Sequence, residues 1–284
     1  MDNNIQVFDK NITRRNRERS SKHLDKHGFL FDWAQKEIEN RLSIVKREFK
    51  QCLQIGARAP RLSTHDVTLL DSTPSLNVDL VADEEFLPVA QRSQDLIISP
   101  LSLHSVNDLP GALIQIKNAL KADGLFMAAL LGGETLYQLR EAMQQTELNC
   151  FGGMSARISP FADMQQMGAL MQRAGFALPV VDSEKIQVSY ENVTKLMHDL
   201  RYMGEANALV NRSQRPLTKN YLDKLNKYYE THFTGDDGRL EATFEVIFIS
   251  GWSPHDSQQK PLRPGSAEKR LSDALQSEEE ILPC

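Results

Sequence analysis

Cysteine is scarce. Cys52, Cys150 and Cys284 in a chain of 284 residues are too few, odd in number and too widely spaced for a disulfide framework or a zinc cluster, and they suit a reducing compartment. Long hydrophobic runs are missing as well. The longest uninterrupted one, LFMAALL at 125–131, falls far short of the roughly 20 apolar residues a membrane-crossing helix needs. The opening stretch MDNNIQVFDKNITRRNRERS has no apolar core of the kind a secretory signal requires. Neither sign of charge dominates: 33 Lys and Arg against 38 Asp and Glu leave a net −5, which gives no reason to expect nucleic acid or an anionic membrane as partner. The seven histidines are scattered and include no His-x-Asp pair, so no facial-triad metal site can be derived. No internal repeat is present.

What remains is ordinary globular material, with 40% hydrophobic residues. Short apolar runs at 52–55, 67–70, 96–98, 124–131 and 243–249 read as strands, the fourth introduced by Asp123-Gly124. Between the third and fourth, Leu109, Leu113, Ile116 and Leu120 share one helical face. Met164, Met167, Met171 and Ala174 line a second helix, more simply as core packing than as a ligand box. Val193, Leu196, Leu200 and Met203 line a third, and Leu217, Tyr221, Leu225 and Tyr228 a fourth. This alternation predicts an α/β fold with a mainly parallel sheet. Its nucleotide edge looks shortened. Only residues 56–66 separate the first two strands, room for a single helical turn at most, and only 72–76 precede the next run, too few for a helical crossover. The expected divisions are a basic helical segment at 1–49, the sheet domain at 50–252 with a helical insertion at about 192–235, and a polar tail at 253–284. Within the first segment, residues 9–26 carry seven Lys or Arg against three acids, a solvated helical face or a patch for an acidic partner.

In open parallel sheets ligands bind outside the carboxyl ends of the strands. That rule selects CLQIGARAP (52–60), Asp71 at the end of VTLLD, SPLSLHSVN (99–107) and LLGGETL (130–136). An acid placed like Asp71 can accept both hydroxyls of a ribose. His104 is a candidate general base or substrate contact, or a structural histidine of its turn. Asn107 and Asp108 are candidates for a helix cap or for substrate contact. Gly132 and Gly133 can offer backbone N–H groups to an anion or form a tight strand-to-helix turn. Arg157 can hold a carboxylate or a partner chain, or lie free on the surface.

VADEEFLP (81–88), LSLHSVNDLPGALIQIKNALKADG (101–124) and LGGETLYQLREA (131–142) resemble the class I, S-adenosylmethionine-dependent methyltransferase superfamily. They most resemble its respiratory complex I assembly-factor branch, an arginine hydroxylase in mitochondria with alphaproteobacterial relatives. VFDKNITRRNRERS and SGWSPHDSQQKPLRPGSA extend the resemblance over nearly the whole chain. It implies a Rossmann-like methyltransferase sheet and modification of an arginine on the quinone-site iron–sulfur subunit of complex I, and the absence of a signal or transit segment gives a bacterial, cytoplasmic setting as the expectation. Methyl transfer to a small molecule or carrier-bound acid, and a non-catalytic assembly chaperone, are the alternatives. S-adenosylmethionine is the implied cofactor. Gly56 then corresponds to the first glycine of the cofactor loop, Asp71 to the ribose acid and Asp83 to the acid near adenine, while Ser99 to Leu101 run beneath the methionine moiety. A full loop reads roughly Asp-x-Gly-x-Gly-x-Gly. Gln54, Arg58 and Pro60 stand where an acid and two glycines would be, so weak cofactor binding or none is expected.

Overall fold

The computed structural model describes residues 6–259. Its strands are β1 (Cys52–Ile55), β2 (Val67–Asp71), β3 (Leu80–Val81), β4 (Gln94–Pro100), β5 (Leu120–Leu131), β6 (Ala177–Tyr190) and β7 (Leu240–Trp252). They form one seven-stranded sheet in the order β3-β2-β1-β4-β5-β7-β6. The first five in that order run parallel, and β7 is antiparallel to both of its neighbours.

Successive side chains of a strand point to opposite faces, so the sheet feeds two cores. Leu96, Ile98, Met127 and Ala129 pack with α3 (Phe29–Ser43), α5 (Tyr137–Phe151), α7 (Val193–Met203) and α8 (Lys219–His232). Leu53, Ile55, Ile97, Phe126 and Ala128 pack with α4 (Leu109–Ala119) and α6 (Met164–Arg173). Burial on both sides is why β1 and β4 read as apolar runs without alternation. Met167 and Met171 are fully buried core residues, whereas Met164 at the start of the same stripe is 41% exposed.

The nucleotide-side connections carry no α-helix. Residues 56–66 are irregular, and β2 reaches β3 through residues 72–79 with one short helical turn, Pro74–Leu76. The pairing is still parallel, Leu70 opposite Leu80 and Asp71 opposite Val81. The strand begins at Leu80 rather than at Asn77, and the three extra residues let an open loop make the return. Three local readings shift. Leu120 opens β5 instead of closing α4, and Asp123-Gly124 falls inside β5, where pairing with β4 slips between Gln94 and Leu96. Leu217 precedes α8, and Tyr229 rather than Tyr228 completes its buried stripe, because Tyr228 turns outward to Glu141 (3.1 Å).

The basic stretch at 9–26 forms α1 (Lys10–Ser20) and α2 (Leu24–His27), with Asp9 capping α1 through the N–H groups of Asn11 and Ile12. Helices α7 and α8 separate β6 from β7. Among the described residues no helix is long and apolar enough to cross a membrane. Of the tail expected at 253–284, everything from residue 260 lies outside the described residues.

Candidate substrate and cofactor site

The ends of β1, β2 and β4 converge on a tightly drawn loop. Gly56, directly after β1, has φ +102°, and a Cβ placed there would lie 2.6 Å from the Ser102 Cβ. Only glycine lets the chain pass so close to the segment after β4. Gln54, in the place of the leading acid of a full cofactor loop, is completely buried and holds the loop from within. Its amide donates to the carbonyls of Gly56 (3.3 Å) and Pro60 (2.9 Å) and accepts from the Leu62 N–H (2.9 Å). An ionised carboxylate has no proton to give those two carbonyls, so the amide is the group that fits.

Helix α1 lies over the acidic rim of this site. Lys10 and Arg17 are seven residues apart and share a helical face. Lys10 Nζ pairs with Asp83 and Glu85, each at 2.8 Å. Arg17, only 2% exposed, reaches deeper. Its guanidinium pairs with Glu84 and with Asp71 (3.3 Å), and donates to the Ser102 carbonyl (3.4 Å) and the Ser105 hydroxyl (3.2 Å). Burial alone would lower its pKa, but Glu84 and Asp71 raise it well above the ordinary arginine value. Asp71 accepts from Ala57 N–H on one oxygen and from Thr73 N–H on the other, both at 3.0 Å, the latter oxygen also meeting Arg17. Asn107, expected as a cap or substrate contact, clamps the approach to α1. Its Oδ1 accepts from the N–H groups of Val7 and Phe8 (2.8 Å each), and Asp108 caps α4 instead. Lys10 and Arg17 thus meet acids of their own chain, while Arg14, Arg15, Lys22 and Lys26 of the same basic stretch are exposed.

A second ionic cluster sits beside the first. Arg58 turns inward: its guanidinium lies 4.6 Å from the Phe31 ring centroid and donates to the carbonyls of Leu101 (2.8 Å) and Met203 (3.3 Å) and to Glu205 Oε1 (2.5 Å). His104 Nε2 stands 3.2 Å from both Glu205 oxygens, and its Nδ1 has no hydrogen-bond partner among the described residues. Glu205 owes its position to the left-handed cap of α7. Gly204 has φ +85°, and the Glu205 N–H returns to the Leu200 carbonyl at 2.8 Å. Burial pushes the Glu205 carboxyl up, but Arg58 and His104 outweigh it and hold it well below the usual carboxylate range.

Glu205 lines a cavity of about 300 Å³ whose other walls include Leu136, Met143, Phe161, Met197 and Leu200. Arg157 and Phe161 also line a neighbouring cavity of about 600 Å³, together with Gly133 and Arg140. Arg157 meets a carboxylate, but an internal one. Its Nη2 and Nε lie 2.7 and 2.8 Å from Glu147 Oε1. Burial would raise the Glu147 carboxyl, yet Ser155 and Arg157 hold it below its ordinary value. The Gly132-Gly133 turn is likewise engaged internally: the Gly132 N–H donates to the Glu245 carbonyl and the Glu134 N–H to the Glu245 carboxylate, each at 2.8 Å. Ser99 is fully buried, with its hydroxyl unpartnered among the described residues. Leu101 adopts φ +50°, its N–H bonded to the Ala129 carbonyl (2.9 Å).

Gly56, Asp71, Asp83 and Ser99 to Leu101 therefore gather at the carboxyl ends of β1 to β4, while His104 stands behind Glu205. Arg17, Glu84 and Glu205 are the residues that sequence reasoning missed, and Gln54, read there only as a lost acid, holds the loop. The spacing of Lys10 and Arg17 against the run Asp83-Glu84-Glu85 is the signal that could have found the first pairing. As folded, the site does not fit S-adenosylmethionine. Arg17 is bonded to Asp71, the acid expected to meet a ribose, and Ser102 fills the space against Gly56. No group of three or more His, Cys, Asp or Glu among the described residues is arranged to hold a metal ion.

A methyltransferase-domain family model matches residues 57–128. In solved structures the chain is similar to the YcgJ protein of Bacillus subtilis (TM-score 0.51, 14% identical, 78% of this chain and 98% of that one), which speaks to the fold alone. In sequence it is 37% identical to the malonyl-[acyl-carrier protein] O-methyltransferase of Gallionella capsiferriformans, over 61% of this chain and 57% of that protein. The match to the mitochondrial arginine-hydroxylase NDUFAF5 runs much further. It is 35% identical in Danio rerio, over 95% of this chain and 89% of the relative, and 34% identical in Homo sapiens, over 93% and 81%. A likeness of that extent, on a methyltransferase-like sheet, places the chain in the arginine-hydroxylase NDUFAF5 family.

Proposed function

We propose that this protein modifies an arginine side chain presented by a partner polypeptide, and that the partner is the quinone-site iron–sulfur subunit of complex I. The observation that carries this reading is the cavity lined by Glu205, in a chain similar to arginine hydroxylases over nearly its whole length. An arginine needs apolar walls for its methylenes and a fixed carboxylate for its guanidinium. Leu136, Met143, Phe161 and Leu200 supply the walls and Glu205 supplies the carboxylate, while Arg157 and Arg212, which also line the cavity, are paired with Glu147 and Asp9. Arg58 and His104 keep that carboxylate ionised and fix its direction. A carboxylate offers about four acceptor sites, which leaves capacity for a further donor.

Hydroxylation replaces one hydrogen of the arginine side chain by OH. With dioxygen as oxygen donor it takes up two electrons and two protons from a reductant and releases one water. This chain's own residues bind and orient the arginine. Cys52 and Cys150 are free thiols, consistent with a reducing compartment, and we place the reaction in the cytoplasm. The test is titration of the purified protein with a peptide carrying the target arginine. Saturable binding, weakened when that arginine becomes lysine or when Glu205 becomes glutamine, is the expected result. Equal binding of the arginine and lysine peptides would contradict the reading.

A further inference from the structure

We infer that α1 is the resident occupant of the position that this fold gives to an adenosyl group, so that the folded chain excludes S-adenosylmethionine and removal of the Arg17 side chain admits adenosyl ligands. The inference rests on the methyltransferase-like fold and not on the arginine reading, and its readout is separate from arginine modification.

Three observations converge. Arg17 fills the hole bounded by Asp71, Glu84, Ser102 and Ser105, satisfying with a guanidinium the carboxylate that would accept the ribose hydroxyls. The helix is held along its length. Asn107 grips residues 7 and 8, Lys10 pairs with Asp83 and Glu85, and the Asn16 amide donates to the Ala206 carbonyl at 2.9 Å. Near its far end, a Cβ on Gly204 would lie 3.1 Å from the Ser20 hydroxyl, so the glycine cap of α7 lets α1 settle closely. Finally, the loop beneath is closed from inside by Gln54 and Ser102, without the open glycine cradle that close approach to a nucleotide requires.

A cavity of about 320 Å³ beside Arg17, bordered by Val81, Asp83, Glu84 and Val106, adjoins the hole that the guanidinium fills. Removing the guanidinium would join the two and leave Asp71, Glu84 and the Ser102 hydroxyl facing the space. Those groups accept hydrogen bonds from a ribose diol.

The test is isothermal titration of the full chain with S-adenosylhomocysteine. The unaltered protein is expected to show no binding up to millimolar ligand. Arg17→Ala should gain affinity by more than about tenfold. Arg17→Ala with Glu84→Gln, which removes one orphaned charge, serves where the single variant fails to fold. Hydrogen exchange on the unaltered protein gives an independent reading, with α1 amides protected and unchanged by millimolar ligand. Micromolar binding by the unaltered protein would overturn the inference. So would loss of α1 protection on adding ligand, or a folded variant that binds no better than the parent.

Discussion

Arg17 and Asp71, 54 positions apart in sequence, meet at 3.3 Å with side chains 2% and 0% exposed. A pair so sealed from water is costly to break from one side, because the remaining carboxylate keeps its charge and loses its partner. Arg17→Ala should therefore destabilise the protein by about 3–5 kcal/mol, measured by urea denaturation. A loss of a few tenths would mean that α1 is only loosely docked.

Gly56→Ala tests the closed loop. Its φ of +102° and the 2.6 Å approach of the Ser102 Cβ leave no room for a side chain. A cost of about 1–3 kcal/mol from backbone strain is expected, with a further loss from the clash. Ser102→Gly in the same chain should recover the clash part and not the strain part. Full tolerance of the alanine would show that the loop has slack.

Gln54→Glu asks whether an acid restores the loop or damages it. The carboxylate would face the Gly56 and Pro60 carbonyls, to which the native amide donates. Orphaning those two acceptors should cost about 1–3 kcal/mol each at neutral pH, read from the guanidinium midpoint. Unchanged stability would remove Gln54 as the strap.

Glu205 gives the protein a defined acid response. Burial acts to raise its carboxyl, but Arg58 and His104 outweigh burial and hold it well below the usual carboxylate range. A group whose pKa is depressed on folding stabilises the native state above its unfolded value, and the stability is lost as pH falls through the folded one. Glu205→Gln should therefore be less stable than the parent at neutral pH, with the gap shrinking as pH falls below about 4.5. A gap independent of pH would show that the ionic contacts of Glu205 add nothing.

The parts of the fold that depend on local pattern were legible. Strands at 52–55 and 67–70 stand out because double-sided burial demands unbroken apolar runs, and the absence of a helix at 56–66 follows from chain length alone. Where a turn pair sits inside a bulged strand, as at Asp123-Gly124, local signals misplace the boundary. The site was harder because its key contacts are remote. Lys10 and Arg17 look like ordinary solvated charges until Asp71 and residues 83–85 are brought beneath them. The Gly132-Gly133 turn looks ready for an external anion until Glu245, 111 positions from its partner Glu134, fills it. Gly204, directly after the stripe that ends at Met203, signals the left-handed cap, but nothing local says that Glu205 beyond it reaches Arg58 and His104.

The proposed contact is a partner's arginine held by Glu205. Its most direct test is mass spectrometry of the complex I iron–sulfur subunit from a deletion strain complemented with either the unaltered gene or Glu205→Gln. The predicted result is hydroxyarginine lost on deletion, restored by the unaltered protein and not by a folded Glu205→Gln variant. Hydroxyarginine at the parental level in the deletion strain would contradict it.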